Sequence, residues 1–209
     1  MHVEGKIMEA ESFLSKIEEN YNVLPDVTFY FDAFLASACS ILDYLSEDYS
    51  NEFKFKISFN SKSFKRDFNN EMKKSKDRKI QEFYKWITDC REQIEQTDTI
   101  GSLLTQKRHR ITHRHHEPPT MRIRLRYKTS DNSQAKIKEF FIPWFEHQRT
   151  ISDNRKLKEI SKNVIEIKTI LAIDDHDSID MEEACTEFLN KIKKIVNNTL
   201  KKFPLTSKA

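Results

Sequence analysis

Glycine is almost missing from this chain: Gly5 and Gly101 are the only two. Loops that cradle phosphates and tight hairpin turns need glycine where the backbone takes positive φ. Its scarcity excludes a P-loop and a dinucleotide-binding fingerprint, and favours helices, which need none. Cysteine is scarce as well, and odd in number. Cys39, Cys90 and Cys185 lie far apart, each among apolar residues of a helical pattern, so buried thiols in a reducing compartment are expected rather than a disulfide framework. No apolar run approaches the roughly 18 residues of a membrane span. Residues 1–16 are amphipathic, without the apolar stretch behind a basic cluster that marks a secretory signal. A soluble, cytoplasmic protein with no membrane partner is expected. Net charge is small too, at +3, a weak pull toward an anionic partner.

What is present is bulk and charge. Fifteen Phe, six Tyr and two Trp supply a core in a chain that is 33% charged, because aromatics bury the most area per residue. The 209 residues allow one large domain with an elaboration.

Hydrophobic periodicity predicts the elements. Residues 5–20 read as a helix, with Ile7, Ala10, Phe13, Leu14 and Ile17 at helical spacing. Pro25 and Asp26 restart the chain, since proline suits a first turn and aspartate caps well. The strongest helix runs from Phe29 to Tyr49, with Phe31, Phe34, Leu35, Ala38, Ile41, Leu42 and Leu45 as its stripe. Ala33, Ala36, Ser37 and Ser40 lie among them, small enough for another helix to come close. Residues 50–62 read as loop and 63–73 as a short helix. A long helix follows over 76–96, with Trp86 expected to be buried. Thr97 and Asp98 read as the cap of a further helix over 99–115, stopped by Pro118 and Pro119.

The pattern then changes period. Met121-Arg122-Ile123-Arg124-Leu125-Arg126-Tyr127-Lys128 alternates strictly, as a strand with one buried face does. Residues 134–142 answer it across a turn at 129–133, which predicts an antiparallel hairpin. Further strands are expected at 147–152 and 164–173. A last helix is expected over 178–202, with Met181, Ala184, Cys185, Phe188, Leu189, Ile192, Ile195 and Thr199 inward. The fold class expected is mainly α: a helical bundle with a small antiparallel β-sheet inserted before the last helix. All of it forms one domain over 1–209, with a helical core at about 5–116 and 178–202 and a β insertion at about 119–174.

Chemistry concentrates in Lys107-Arg108-His109-Arg110-Ile111-Thr112-His113-Arg114-His115-His116, which holds four His and three Arg. Metal-free RNA cleavage needs a group that titrates near neutrality and a fixed positive charge for the phosphorane-like transition state. Histidine suits the first role and arginine the second. On a helix, His109 and His113 fall on one stripe, whereas Arg108 and His113 point about 140° apart. Those two converge only if Arg108 reaches round the helix or a second subunit completes the site.

The segment Arg108-His109-Arg110-Ile111-Thr112-His113 resembles the motif of the HEPN superfamily: an arginine, a polar residue, three more residues and a histidine. The small-residue-rich helix Phe31–Leu42 and the Trp86 helix lie upstream as in that family, and the likeness covers about residues 5–115 with the last helix. The resemblance implies an up-and-down helical bundle and a homodimer whose two motifs face each other in a basic cleft. It also implies endoribonuclease activity without metal or cofactor. His113 would be the general acid/base, Arg108 would position the phosphate and His109 would orient the site. Toxins and antiviral effectors belong to this family, so an antitoxin partner comes with the reading. Some of the family's toxins carry a tyrosine two residues after the histidine; His115 stands there in this chain, so that feature does not transfer.

Rival readings stand beside this one. His109, His113 and His116 have zinc-like spacing, but Arg108, Arg110 and Arg114 would repel a dication. Arg110 and Arg114 are candidate RNA contacts, and so are Arg122, Arg124 and Arg126, which could equally be a solvated strand face. A non-catalytic dimeric RNA- or nucleotide-binding module, or a basic helix that pairs with an acidic protein, would use the same residues.

Overall fold

The computed structural model describes residues 2–19, 24–59, 63–97, 100–102, 104–105, 121–128, 135–141, 164–172 and 178–206. These residues form a mainly helical protein. In chain order the elements are α1 (His2–Glu19), α2 (Leu24–Glu52), α3 (Phe64–Lys74) and α4 (Arg78–Glu92), which runs into a π-helical turn at Gln93–Thr97. Strands β1 (Met121–Lys128), β2 (Ala135–Phe141), β3 (Val164–Ala172) and β4 (Ser178–Asp180) follow, then α5 (Met181–Lys202). The chain divides into two compact units. The first comprises Met1–Glu11, Leu35–Thr105 and Phe188–Ala209, and the second Ser12–Phe34 and Gln106–Glu187.

The first unit is a helical bundle built round aromatic side chains. Phe83 of α4 has no exposed surface. Its ring centroid lies 4.1 Å from that of Tyr49, 5.4 Å from those of Phe53 and Phe203, and 6.5 Å from that of Phe68. The apolar stripe of α2 is inward as its periodicity requires, with Leu35, Ala38, Ile41, Leu42 and Leu45 all buried. Polar side chains then tie the helices where backbone groups would go unpaired. The buried Tyr49 hydroxyl donates to the carbonyls of Phe203 and Thr199 at the end of α5. Gln81 Nε2 donates to the carbonyls of Met72 and Ser75, both at 2.7 Å, closing the end of α3. Asp77 caps α4, accepting from the Lys79 and Ile80 amides. The Asp48 carboxylate accepts from the His2 and Val3 amides at the start of α1.

Trp86 is half-buried rather than buried. Its indole N–H needs a partner and donates to Thr199 Oγ1 at 2.8 Å, while Lys202 Nζ sits 4.4 Å over the ring. The same preference for a satisfied polar end explains why tryptophan sits at a boundary.

Helix α2 ends three residues beyond Tyr49, at Glu52. Its end is a Schellman motif: Phe55 N–H donates to Ser50 O at 2.9 Å and Lys54 N–H to Asn51 O at 3.1 Å. This places Lys54 in the left-handed region, φ 57°, where an L side chain is strained and glycine is not. Replacing Lys54 by glycine is expected to stabilise the protein by about 0.5–1 kcal/mol. Urea unfolding at neutral pH checks this, and a lower midpoint for the variant would refute it.

In the second unit the strands form one sheet in the order β2-β1-β3-β4, every pairing antiparallel. The hairpin of β1 and β2 and the strand at 164–172 are as the sequence predicts. The expected strand at 147–152 and the turn at 129–133 lie outside the described residues. The last helix starts at Met181, not at 178. Residues Ser178–Asp180 pair instead with Ile170–Ala172, and Asp180 caps the helix by accepting from the Glu183 amide at 3.1 Å. Of the helix expected over 99–115, residues 100–102 and 104–105 are helical, with Gly101 and Leu104 buried. Thr97 closes the π-helical turn, and Asp98 lies outside the described residues.

Candidate functional site

Arg108, His109, Arg110, His113 and Arg114 lie outside the described residues, as do His115 and His116. Arg122, Arg124 and Arg126 belong to β1, an interior strand between β2 and β3. Their alternation puts them on one face of that strand. The cross-strand register brings other residues onto the same face. Arg124 stands opposite Glu139 on one side and Lys168 on the other. Arg126 stands opposite Ile137 and Glu166, and Arg122 opposite Phe141 and Ile170. At one end of this face Ile170 is buried and Lys168 Nζ reaches Asp180 Oδ2 at 3.0 Å. The period of β1 foretells the shared face. The identity of the facing residues depends on register, which alternation within one strand does not specify.

Two of the three thiols are buried. Desolvation pushes Cys185 well above the usual thiol range, and Asp180 and Glu182 push the same way. Cys90 is raised too, by burial first and then by the Asp89 charge. Such thiols stay protonated at neutral pH and are poor nucleophiles. Cys39 is half-buried. Among the described residues no group of three or more His, Cys, Asp or Glu is placed to hold a metal ion. No described helix is long and apolar enough to cross a membrane.

Arg91 is a largely buried polar tie in the bundle. Its side chain is 11% exposed, and its Nη2 donates to Ser46 Oγ at 2.9 Å and to Asp43 Oδ1 at 3.2 Å. Desolvation lowers its pKa while Asp43 and Glu95 oppose that shift. The arrangement fixes α4 against α2 and leaves the guanidinium turned inward, so Arg91 is structural.

Asp32 is a half-buried acid that pattern reading passes over, because it sits inside the stripe between Phe31 and Phe34. Its Oδ1 is buried and has no hydrogen-bond partner among the described residues. Burial alone lifts the carboxyl from 3.8 to about 6. The folded value lies above the unfolded one, so the associated stability is complete below about pH 4 and is lost as pH rises through 6. Asp32→Asn should therefore stabilise the protein at pH 7.5 by about 1–2 kcal/mol, a figure discounted for the solvated part of the side chain. At pH 4 the gain should vanish. Urea titrations at the two pH values measure the difference, and equal gains at both would exclude a role for ionisation.

The chain matches no family model, no curated protein and no solved structure.

Proposed function

We propose that this chain is a metal-independent endoribonuclease of HEPN type, acting as a homodimer on RNA. The observation that carries the proposal is the order Arg108-His109-Arg110-Ile111-Thr112-His113 within a mainly helical chain. The helical residues 100–102 and 104–105 precede it, as do α2, with its small residues Ala33, Ala36, Ser37 and Ser40, and α4. In this reading the 2′-hydroxyl of RNA attacks the adjacent phosphorus. His113 takes its proton or returns one to the departing 5′-oxygen, and Arg108 holds charge against the phosphoryl oxygens. His109 orients the site. Arg110 and Arg114 add phosphate contacts. Arg122, Arg124 and Arg126 on β1 are further candidate RNA contacts. A toxin or antiviral effector, held in check by an antitoxin and working in the cytoplasm, is the biological setting that fits such an activity.

The test is incubation of the purified protein with single-stranded RNA in EDTA. Products with 2′,3′-cyclic phosphate and 5′-hydroxyl ends support the proposal. Binding without cleavage would leave a non-catalytic dimeric RNA- or nucleotide-binding module in its place, and cleavage that appears only with added zinc would move the chemistry to His109, His113 and His116.

A further inference from the structure

The cations of this protein are unevenly distributed. Between Phe53 and Lys85 stand eleven Lys or Arg and four Asp or Glu, so this stretch is more positive than the whole chain, whose net charge is +3. The rest of the protein is therefore net negative. The stretch covers the segment after α2, all of α3 and the first half of α4, within the first compact unit. All ten of its described cations are exposed.

The densest part is the turn that joins α3 to α4. Lys73, Lys74, Lys76, Arg78 and Lys79 fall within seven residues, with Asp77 as the single acid. That carboxylate is occupied as the cap of α4. Lys74 and Arg78 have carboxylate partners in Glu71 and Glu82, and Lys73 lies 5.8 Å over the Tyr84 ring. Among the described residues, Lys56, Lys76 and Lys79 have no such partner. Arg78 and Lys79 also lie in the first turn of α4, which contains no acidic residue. Positive charge there opposes the helix dipole. Solubility alone would be served equally well by cations at the other end of the helix. Exposed charge set against a local stability rule is the mark of a surface kept for binding.

We propose that the α3–α4 turn, with Lys56 beside it, is a docking surface for the phosphate backbone of RNA, separate in sequence from Arg108–His113. Lysine ammonium groups act as point charges suited to backbone contact without base reading. Beside the turn, an open groove of about 530 Å³ is lined by Lys56, Ser58, Asn70 and Lys74, together with Asp67 and Glu71. Its hydroxyl and amide add hydrogen-bonding groups for phosphate and sugar oxygens. An anionic membrane is the poorer fit. Helices that lie on membranes insert an apolar face, whereas Phe64, Phe68, Met72 and Phe83 are buried, and among the described residues the exposed large apolar side chains, Met8 and Phe29, lie on α1 and α2. That the polyanion is RNA rests on the nuclease reading given above; that it is a polyanion does not.

The experiment measures binding of a 30-nucleotide single-stranded RNA of mixed sequence by fluorescence anisotropy in EDTA, across a salt series. The full-length protein carries His113→Ala so that cleavage does not intrude. Adding Lys56→Gln, Lys76→Gln and Lys79→Gln should weaken binding at least about tenfold at low salt and reduce the salt slope by about 2, near 0.7 per lost contact. Lys194→Gln with Lys201→Gln, on exposed positions of α5, should leave both nearly unchanged. Unchanged thermal melting of each variant shows that the fold persists. Equal loss from both sets, or none from the triple substitution, overturns the proposal. So does loss of binding to phosphatidylserine vesicles with RNA binding intact. Cleavage by the otherwise wild-type protein is read separately. A chain that never cleaves but binds RNA through these lysines keeps the surface and loses the nuclease; the opposite result keeps the nuclease and removes the surface.

Discussion

Replacing His113 by alanine is expected to reduce RNA cleavage by about 10²–10⁴-fold, the range spanned by removal of a positioned general acid or base. RNA affinity should fall far less, because the neutral imidazole contributes little binding of its own. Arg108→Ala should differ in kind. In the proposed reaction the guanidinium would act on the phosphate throughout, so its loss should weaken binding and slow cleavage together. Arg108→Lys keeps the charge but not the planar fork and should recover only part of the rate. The pH profile separates the two roles. With His113 in place the rate should show a bend with pH that the variant lacks; without it the residual rate should rise smoothly with hydroxide. Loss of cleavage in neither variant would remove the segment from the chemistry. A dimer assembled from one His113→Ala subunit and one Arg108→Ala subunit addresses the geometry. On a single helix the two residues point about 140° apart, so a site completed by the second subunit should regain activity in that mixture.

Truncation of Phe83 to alanine should destabilise the protein by about 3–5 kcal/mol, the cost of emptying a buried aromatic position. The reason is its place in the bundle. Phe83 is fully buried and meets rings from α2 (Tyr49), the segment after it (Phe53), α3 (Phe68) and the segment after α5 (Phe203). No single neighbour can collapse into the space without breaking contacts with the others. Phe83→Leu keeps most of the volume and should cost less than about 1.5 kcal/mol. Phe29, on α2, is 65% exposed, so Phe29→Ala should change stability by no more than about 0.5 kcal/mol. Urea unfolding of the three variants gives the order directly. A loss below about 1 kcal/mol for Phe83→Ala would mean that the aromatic cluster is not the centre of the bundle.

The helices of this protein are legible in its sequence because burial follows a fixed period. Phe31, Phe34, Leu35, Ala38, Ile41, Leu42 and Leu45 recur at helical spacing and all are buried, as are Met181, Ala184, Cys185, Phe188, Leu189 and Ile192 on α5. The β1–β2 hairpin is legible for the same reason, with period 2 in place of 3.6. The scarcity of glycine also points the right way, toward helices.

Other features depend on what meets what in three dimensions. Lys54 takes a glycine-like conformation because α2 closes in a Schellman motif, and nothing in the lysine announces it. Ser178–Asp180 carry the residues of a helix start, yet pairing with β3 claims their backbone first. Asp32 looks like any surface acid until burial without a partner raises its pKa to about 6. That Glu139 falls opposite Arg124 and Glu166 opposite Arg126 is set by strand register, which alternation within β1 does not specify. For Arg108 and His113 the sequence determines the residue types, their order and their spacing. Their convergence is a tertiary or quaternary matter, because five residues along one helix carry two side chains away from each other.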